Sequence, residues 1–122
     1  MPIPFRAELR SFLTEFAESH RGVRLGQMFG LPAIYVGRRL LTCLIEDGII
    51  VRLPSELAKE ELRSRRGKPY SSRAREAGTW VLYTPSSAAA ARKLVPIVER
   101  AAREIAERQV EEITGIRRTT RS

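Results

Sequence analysis

The chain of 122 residues has one cysteine, Cys43, and one histidine, His20. A lone cysteine forms no internal disulfide, which fits a reducing compartment. One cysteine and one histidine also leave no ligand spacing for a zinc site, and a serine nucleophile would find in His20 its sole conventional base. No apolar run approaches the roughly 20 residues that span a bilayer. Met1-Pro2-Ile3-Pro4-Phe5 lacks the basic start and apolar middle of a secretory signal, so the expected compartment is the cytoplasm and no membrane partner is expected. Neither a phosphate-cradling Gly-Lys-Ser/Thr loop nor a dinucleotide fingerprint occurs. The expectation is a domain that is not an enzyme and holds no metal or cofactor.

What the chain does have is a mixed composition, 43% hydrophobic and 30% charged, at a length that buries one core without staples. The division expected is a single domain over 1–115 and a basic tail over 116–122. The net charge of +8 is local. Arg63, Arg65, Arg66, Lys68, Arg73 and Arg75 stand against one acid, Glu76, and Arg117, Arg118 and Arg121 stand against none. These two stretches account for the whole excess, so any polyanion-binding surface is expected there.

Periodicity gives the elements. Phe5, Leu9, Phe12, Leu13 and Phe16 lie on one helical stripe, with Pro4 expected in the first turn and Gly22 expected to close the helix. Val23, Leu25, Gln27 and Phe29 alternate as a strand. Three more strands follow as a meander: Ala33 to Val36, Arg39 to Glu46 and Ile49 to Leu53. Gly37-Arg38 suits a type II′ turn and Asp47-Gly48 a type I′ turn between them. In the middle strand strict alternation puts Leu41, Cys43 and Ile45 on one face and Leu40, Thr42 and Leu44 on the other. Both faces are largely apolar, which predicts cover on each side or a dimer contact. Ser55 is the expected N-cap of a second helix that runs out into the basic segment. Thr79 to Thr84 reads as a strand with Trp80 and Leu82 on one face, and Ser87 as the cap of a last helix in which Pro96 forces a kink or a fresh start. The class is α+β, helices on an antiparallel sheet.

Met28-Phe29-Gly30, Tyr35-Val36-Gly37-Arg38-Arg39, Asp47-Gly48-Ile49-Ile50-Val51-Arg52-Leu53-Pro54 and Gly78-Thr79-Trp80-Val81 stand in an order that resembles the N-terminal domain of TfoX (Sxy) proteins and the related MmcQ/YjbR-like proteins. The resemblance runs roughly from Val23 to Arg108. It implies an α-β(3)-α-β(2)-α order like that of secretion chaperones, a bacterial regulatory setting, and DNA binding of the kind suggested for YjbR-like domains. It carries over no catalytic residues. Leu31 and Pro32 follow Gly30 where the family commonly has a second glycine.

The motif residues also have plain structural readings. Met28 and Phe29 would fill core space while Gly30 supplies an unusual backbone angle, Gly37 and Gly48 serve turns, and Trp80 packs. His20 reads as a charge at a helix end or as exposed, Cys43 as a small core residue, and Glu46-Asp47 as turn chemistry. Two readings are open for the basic segment. Arg63, Arg65, Arg66, Lys68, Arg73 and Arg75 contact phosphates while Tyr70 stacks on a base or sugar, or the segment is a solvated loop. Two functional expectations result: weak, largely sequence-independent DNA binding through this segment, or a chaperone-like homodimer that binds a protein partner through the meander and last helix.

Overall fold

The computed structural model describes residues 4–70 and 80–114, with residues 112–114 by backbone alone. Arg73, Arg75, Gly78, Thr79 and the 116–122 tail lie outside the described residues. Helix α1 spans Arg10–Ser19 and is entered through a 3-10 turn at Ala7–Leu9. Leu9, Phe12, Leu13 and Phe16 are all buried, as their spacing requires. Pro4 lies ahead of the helix rather than in its first turn, because the first helical bond is donated by Leu9 N–H to the Arg6 carbonyl.

Four strands follow: β1 (Val23–Met28), β2 (Leu31–Val36), β3 (Arg39–Ile45) and β4 (Gly48–Arg52). Helix α2 (Ser55–Arg63) precedes β5 (Lys68–Pro69) and β6 (Trp80–Tyr83). A short α3 (Ala88–Ala91), a 3-10 turn (Arg92–Leu94) and α4 (Val95–Thr114) complete the order. The sheet is antiparallel throughout, in the order β1-β2-β3-β4-β6-β5. The α+β class with an antiparallel sheet is the architecture found. The strand read over Val23 to Phe29 joins the edge of the meander, so four strands stand between α1 and α2. Pro96 falls in the first turn of α4, where its missing N–H costs nothing, so the last helical region restarts there. Ser87 caps α3 through its hydroxyl, which accepts from Ala90 N–H at 3.1 Å. Ser55, by contrast, is the first residue of α2 and not its cap, since Pro54 holds the N-cap position without a side-chain bond.

Turn chemistry departs from expectation at two hairpins. Val36 pairs with Arg39, leaving Gly37-Arg38 as the loop with Gly37 at φ +61°, which fits a type II′ turn. Ile45 pairs with Gly48, so the next loop is Glu46-Asp47 and Gly48 already belongs to β4. Neither Glu46 nor Asp47 has a positive φ. The type I′ geometry occurs instead at Phe29-Gly30, between the pair Met28 and Leu31, with φ of +52° and +82°. Phe29 is therefore a turn residue and 81% exposed, not a core residue, while Met28 is half-buried under the sheet.

A register shift between Ile34 and Tyr35 bulges β3 at Leu40 and Leu41. Strict alternation fails there: Leu41 joins Thr42 and Leu44 on the helix side, and Leu40 joins Cys43 and Ile45 on the other. The main core lies between the sheet and the helices, with Phe12, Phe16, Ile34, Leu44, Val51, Val81, Val98 and Ile105 buried in it. Thr42 is buried there and donates to the Ile50 carbonyl at 2.7 Å. Cys43 is the small core residue expected, and burial pushes its thiol up to about 11. No helix among the described residues is long and apolar enough to cross a membrane.

His20 fastens α1 to α4. Its Nδ1 lies 2.9 Å from the Phe16 carbonyl and its Nε2 2.7 Å from a Glu99 carboxylate oxygen, and its ring stacks on Phe16 at 3.9 Å. Both partners only accept, so both nitrogens donate and the imidazolium is the species that fits. The Glu99 carboxylate chiefly raises the His20 pKa above its ordinary 6.5. Because the folded value is the higher one, this contribution is complete below about pH 6.5 and fades as pH rises through the folded value. The pair is partly solvated, which holds the effect to about 1 kcal/mol or less. Urea midpoints of the wild type are expected to fall between mildly acidic and mildly basic pH, and His20→Gln is expected to flatten that slope.

Candidate nucleic-acid interface

The face of the sheet turned away from the helices carries an ordered row of arginine and aromatic side chains. Arg24 on β1 pairs with Tyr35 on β2, and the guanidinium lies 4.9 Å from the ring centroid. Tyr35 pairs with Leu40, whose carbonyl accepts from Arg52 Nε at 3.1 Å. Arg52 on β4 pairs with Trp80 on β6, again with the guanidinium over the ring, at 4.8 Å. Tyr70 continues the row, its N–H donating to the Trp80 carbonyl at 3.3 Å. With strands about 4.8 Å apart, such a row extends roughly 24 Å.

Beside it lies a row of smaller or aliphatic side chains, Gly26, Ala33, Cys43, Ile50 and Leu82, ending at Lys68 on the β5 edge. Gly26 leaves room for the Tyr35 ring, since a Cβ there would meet it at 3.3 Å. Tyr35 is held by its hydroxyl, which donates to the Gln27 carbonyl at 2.8 Å. Tyr35, Arg52, Tyr70 and Trp80 are half-buried, and Arg24 and Lys68 are exposed. Among the described residues no helix packs on this face. Ala33, Cys43 and Ile50 in its middle are buried, and along the row beside them π-faces and positive charge are interleaved, the elements with which proteins hold single strands.

The basic segment is only partly a loop. Arg65 N–H donates to the Leu62 carbonyl and Arg66 N–H to the Glu61 carbonyl, both at 3.1 Å, which closes α2 in a Schellman motif. Arg65 occupies its left-handed position at φ +64°, where glycine is usual. Gly67 is buried, and Lys68-Pro69 then runs as the edge strand β5, where a proline is tolerated. Arg63 is ion-paired to Glu60 at 2.5 Å. Arg66 is paired to Glu61 at 2.8 Å and to Glu60 at 3.6 Å. The glutamates so neutralise two of the predicted phosphate contacts, whereas Arg65 and Lys68 make no ion pair with a described residue. Tyr70 packs with Trp80 on the face of the sheet turned away from the helices.

The structure therefore moves the centre of the candidate site from the basic segment to the sheet. Of the residues named in advance it brings Lys68, Tyr70 and Trp80 together, and it adds Arg24, Tyr35 and Arg52. A signal for two of those three was available, because a turn at Phe29-Gly30 fixes Arg24 opposite Tyr35 by counting back along the hairpin. Phe29 and Gly30 lie at the tip of that hairpin, Gly37 and Gly48 at the next two connections, and none of the four adds a side chain to the row. Among the described residues no cluster of three His, Cys, Asp or Glu side chains is placed to ligate a metal. Comparison with family models, with curated proteins and with solved structures finds no match to this chain.

Proposed function

We propose that this domain binds single-stranded nucleic acid along the arginine and aromatic row of its sheet, with bases stacking among Tyr35, Tyr70 and Trp80 and phosphates meeting Arg24, Arg65 and Lys68. The row of register-paired arginines and aromatics carries this reading. A lone charged loop could be a solubility device, but guanidinium groups set over rings, on a face where no helix packs among the described residues, present both halves of a nucleotide contact. A TfoX-like regulatory role in the cytoplasm, to which the motifs from Met28 to Trp80 point, belongs to the same proposal.

Fluorescence anisotropy of a labelled single-stranded oligonucleotide tests it. If about four phosphates are neutralised, log K falls against log salt with a slope of about −2.8. Trp80→Leu is expected to weaken binding about tenfold or more with little change in that slope, since stacking is worth about 1–3 kcal/mol per base. Arg65→Glu with Lys68→Glu is expected to weaken binding and flatten the slope. Arg66 is left in place because its pairing with the buried Glu61 is structural. No binding at tens of micromolar protein in low salt would sink the proposal. A homodimer found in its place by sedimentation would favour the protein-partner reading of the same apolar face.

A further inference from the structure

On the other side of the sheet a cavity of about 500 Å³ opens between α2, β6 and the start of α4. That volume lies within the range of small-molecule sites. Its floor is the buried carboxylate of Glu61 with the Tyr83 hydroxyl, and Leu94 and Ile97 form an apolar wall. Arg66, Lys93 and Arg100 stand at the rim. Glu61 is already satisfied, with one oxygen accepting from Tyr83 Oη at 2.8 Å and the other from Arg66 Nε at 2.8 Å. Lys93 and Arg100 make no ion pair with a described residue, so the cavity retains two uncompensated positive charges over an apolar wall. Ile97 and Arg100 fall at i and i+3 on α4, one face of that helix, and Lys93 reaches the same cavity from the 3-10 turn before it.

We infer that this cavity is a binding site for a small organic anion with an aliphatic or aryl body, whose charged group sits between Lys93 and Arg100 and whose body lies on Leu94 and Ile97. The chemistry of the lining selects against cations through the rim charges. It selects against fully polar anions through the wall, because a body that does not cover Leu94 and Ile97 gains nothing from their burial. The cavity lining shares no residue with the arginine and aromatic row.

Anilinonaphthalene sulfonate, an anion with an aryl body, serves as the probe on the full chain. One saturable site per chain is expected, with octanoate displacing the probe and octanol failing to. Lys93→Glu with Arg100→Glu, both exposed positions, is expected to weaken the probe by about 100-fold, at about tenfold per charged contact. The matched controls are Arg108→Glu with Arg38→Glu, which change net charge equally but lie off the cavity, and these are expected to leave binding within about twofold. Equal loss in the controls, displacement by octanol as effective as by octanoate, or no saturable binding would each overturn the assignment. Unchanged far-ultraviolet circular dichroism in every variant confines the readout to the site.

Discussion

Gly48→Ala is expected to destabilise the protein by about 3 kcal/mol or more, seen as a fall of roughly 10 °C in thermal midpoint. Gly48 opens β4 at φ +154°, and a Cβ built on it would sit inside the contact distance of the Tyr83 carbonyl oxygen, with Tyr83 C at 3.2 Å and Thr84 Cα at 3.3 Å. All three atoms are backbone, so relief requires β6 to move away from β4. That movement would loosen the pairing of Ile49 with Tyr83, both buried, and of the buried Ile50 with Leu82. Gly30→Ala is the comparison that separates crowding from dihedral strain. Gly30 has φ +82° and nothing within 4 Å of its would-be Cβ, so its replacement costs only the left-handed backbone penalty of about 1 kcal/mol. Urea unfolding of both variants checks the prediction, and equal losses would show that the Gly48 contact is not what constrains it.

The elements were legible in this sequence wherever one residue's neighbours in the chain decide its environment. The stripe of Leu9, Phe12, Leu13 and Phe16, the alternation of Trp80 with Val81, and the restart at Pro96 are all of that kind. Errors arose where a backbone irregularity changes what alternation means. The bulge at Leu40 and Leu41 exchanges faces between two neighbouring leucines that look alike in sequence, and no side chain announces it. Gly30 has the unusual backbone angle expected of it, but Phe29 reads as the end of a strand because an aromatic residue at positive φ is rare. Asp47-Gly48, conversely, has type I′ composition, yet Gly48 is required by the closeness of β6 rather than by the turn. The candidate interface followed the same division. Lys68 and Tyr70 were visible as charge and aromatic character, but the pairing of Arg52 with Trp80 joins strands far apart in sequence, and local pattern carries no register for such a pair.

Glu61→Ala is expected to cost about 3 kcal/mol, although in sequence Glu61 is one of several acids on a short charged helix. Its side chain is only 7% exposed. Five donors converge on it: Tyr83 Oη and Arg66 Nε on the carboxylate, and the N–H groups of Arg66 and Gly67 with the Ser64 hydroxyl on its backbone carbonyl. Alanine preserves the backbone contacts and removes the carboxylate, which leaves a buried tyrosine hydroxyl without its acceptor and Arg66 without its closest anion. Burial first, and the neighbouring carboxylate second, hold the Tyr83 hydroxyl protonated far above its ordinary range, so Tyr83 stays a donor across the accessible pH scale. Glu61→Gln keeps an oxygen for Tyr83 and gives up the charge, and its expected cost is about 1 kcal/mol. Tyr83→Phe removes the donor and leaves a carboxylate that Arg66 still satisfies, for a cost of similar size. The double variant Glu61→Ala with Tyr83→Phe is then expected to lose about 1 kcal/mol less than the sum of its singles, because the orphaned hydroxyl no longer exists. Strict additivity in a double-mutant cycle would mean that the bond between Glu61 and Tyr83 does not couple α2 to the sheet, and that the closure of the basic segment depends on the Schellman contacts alone.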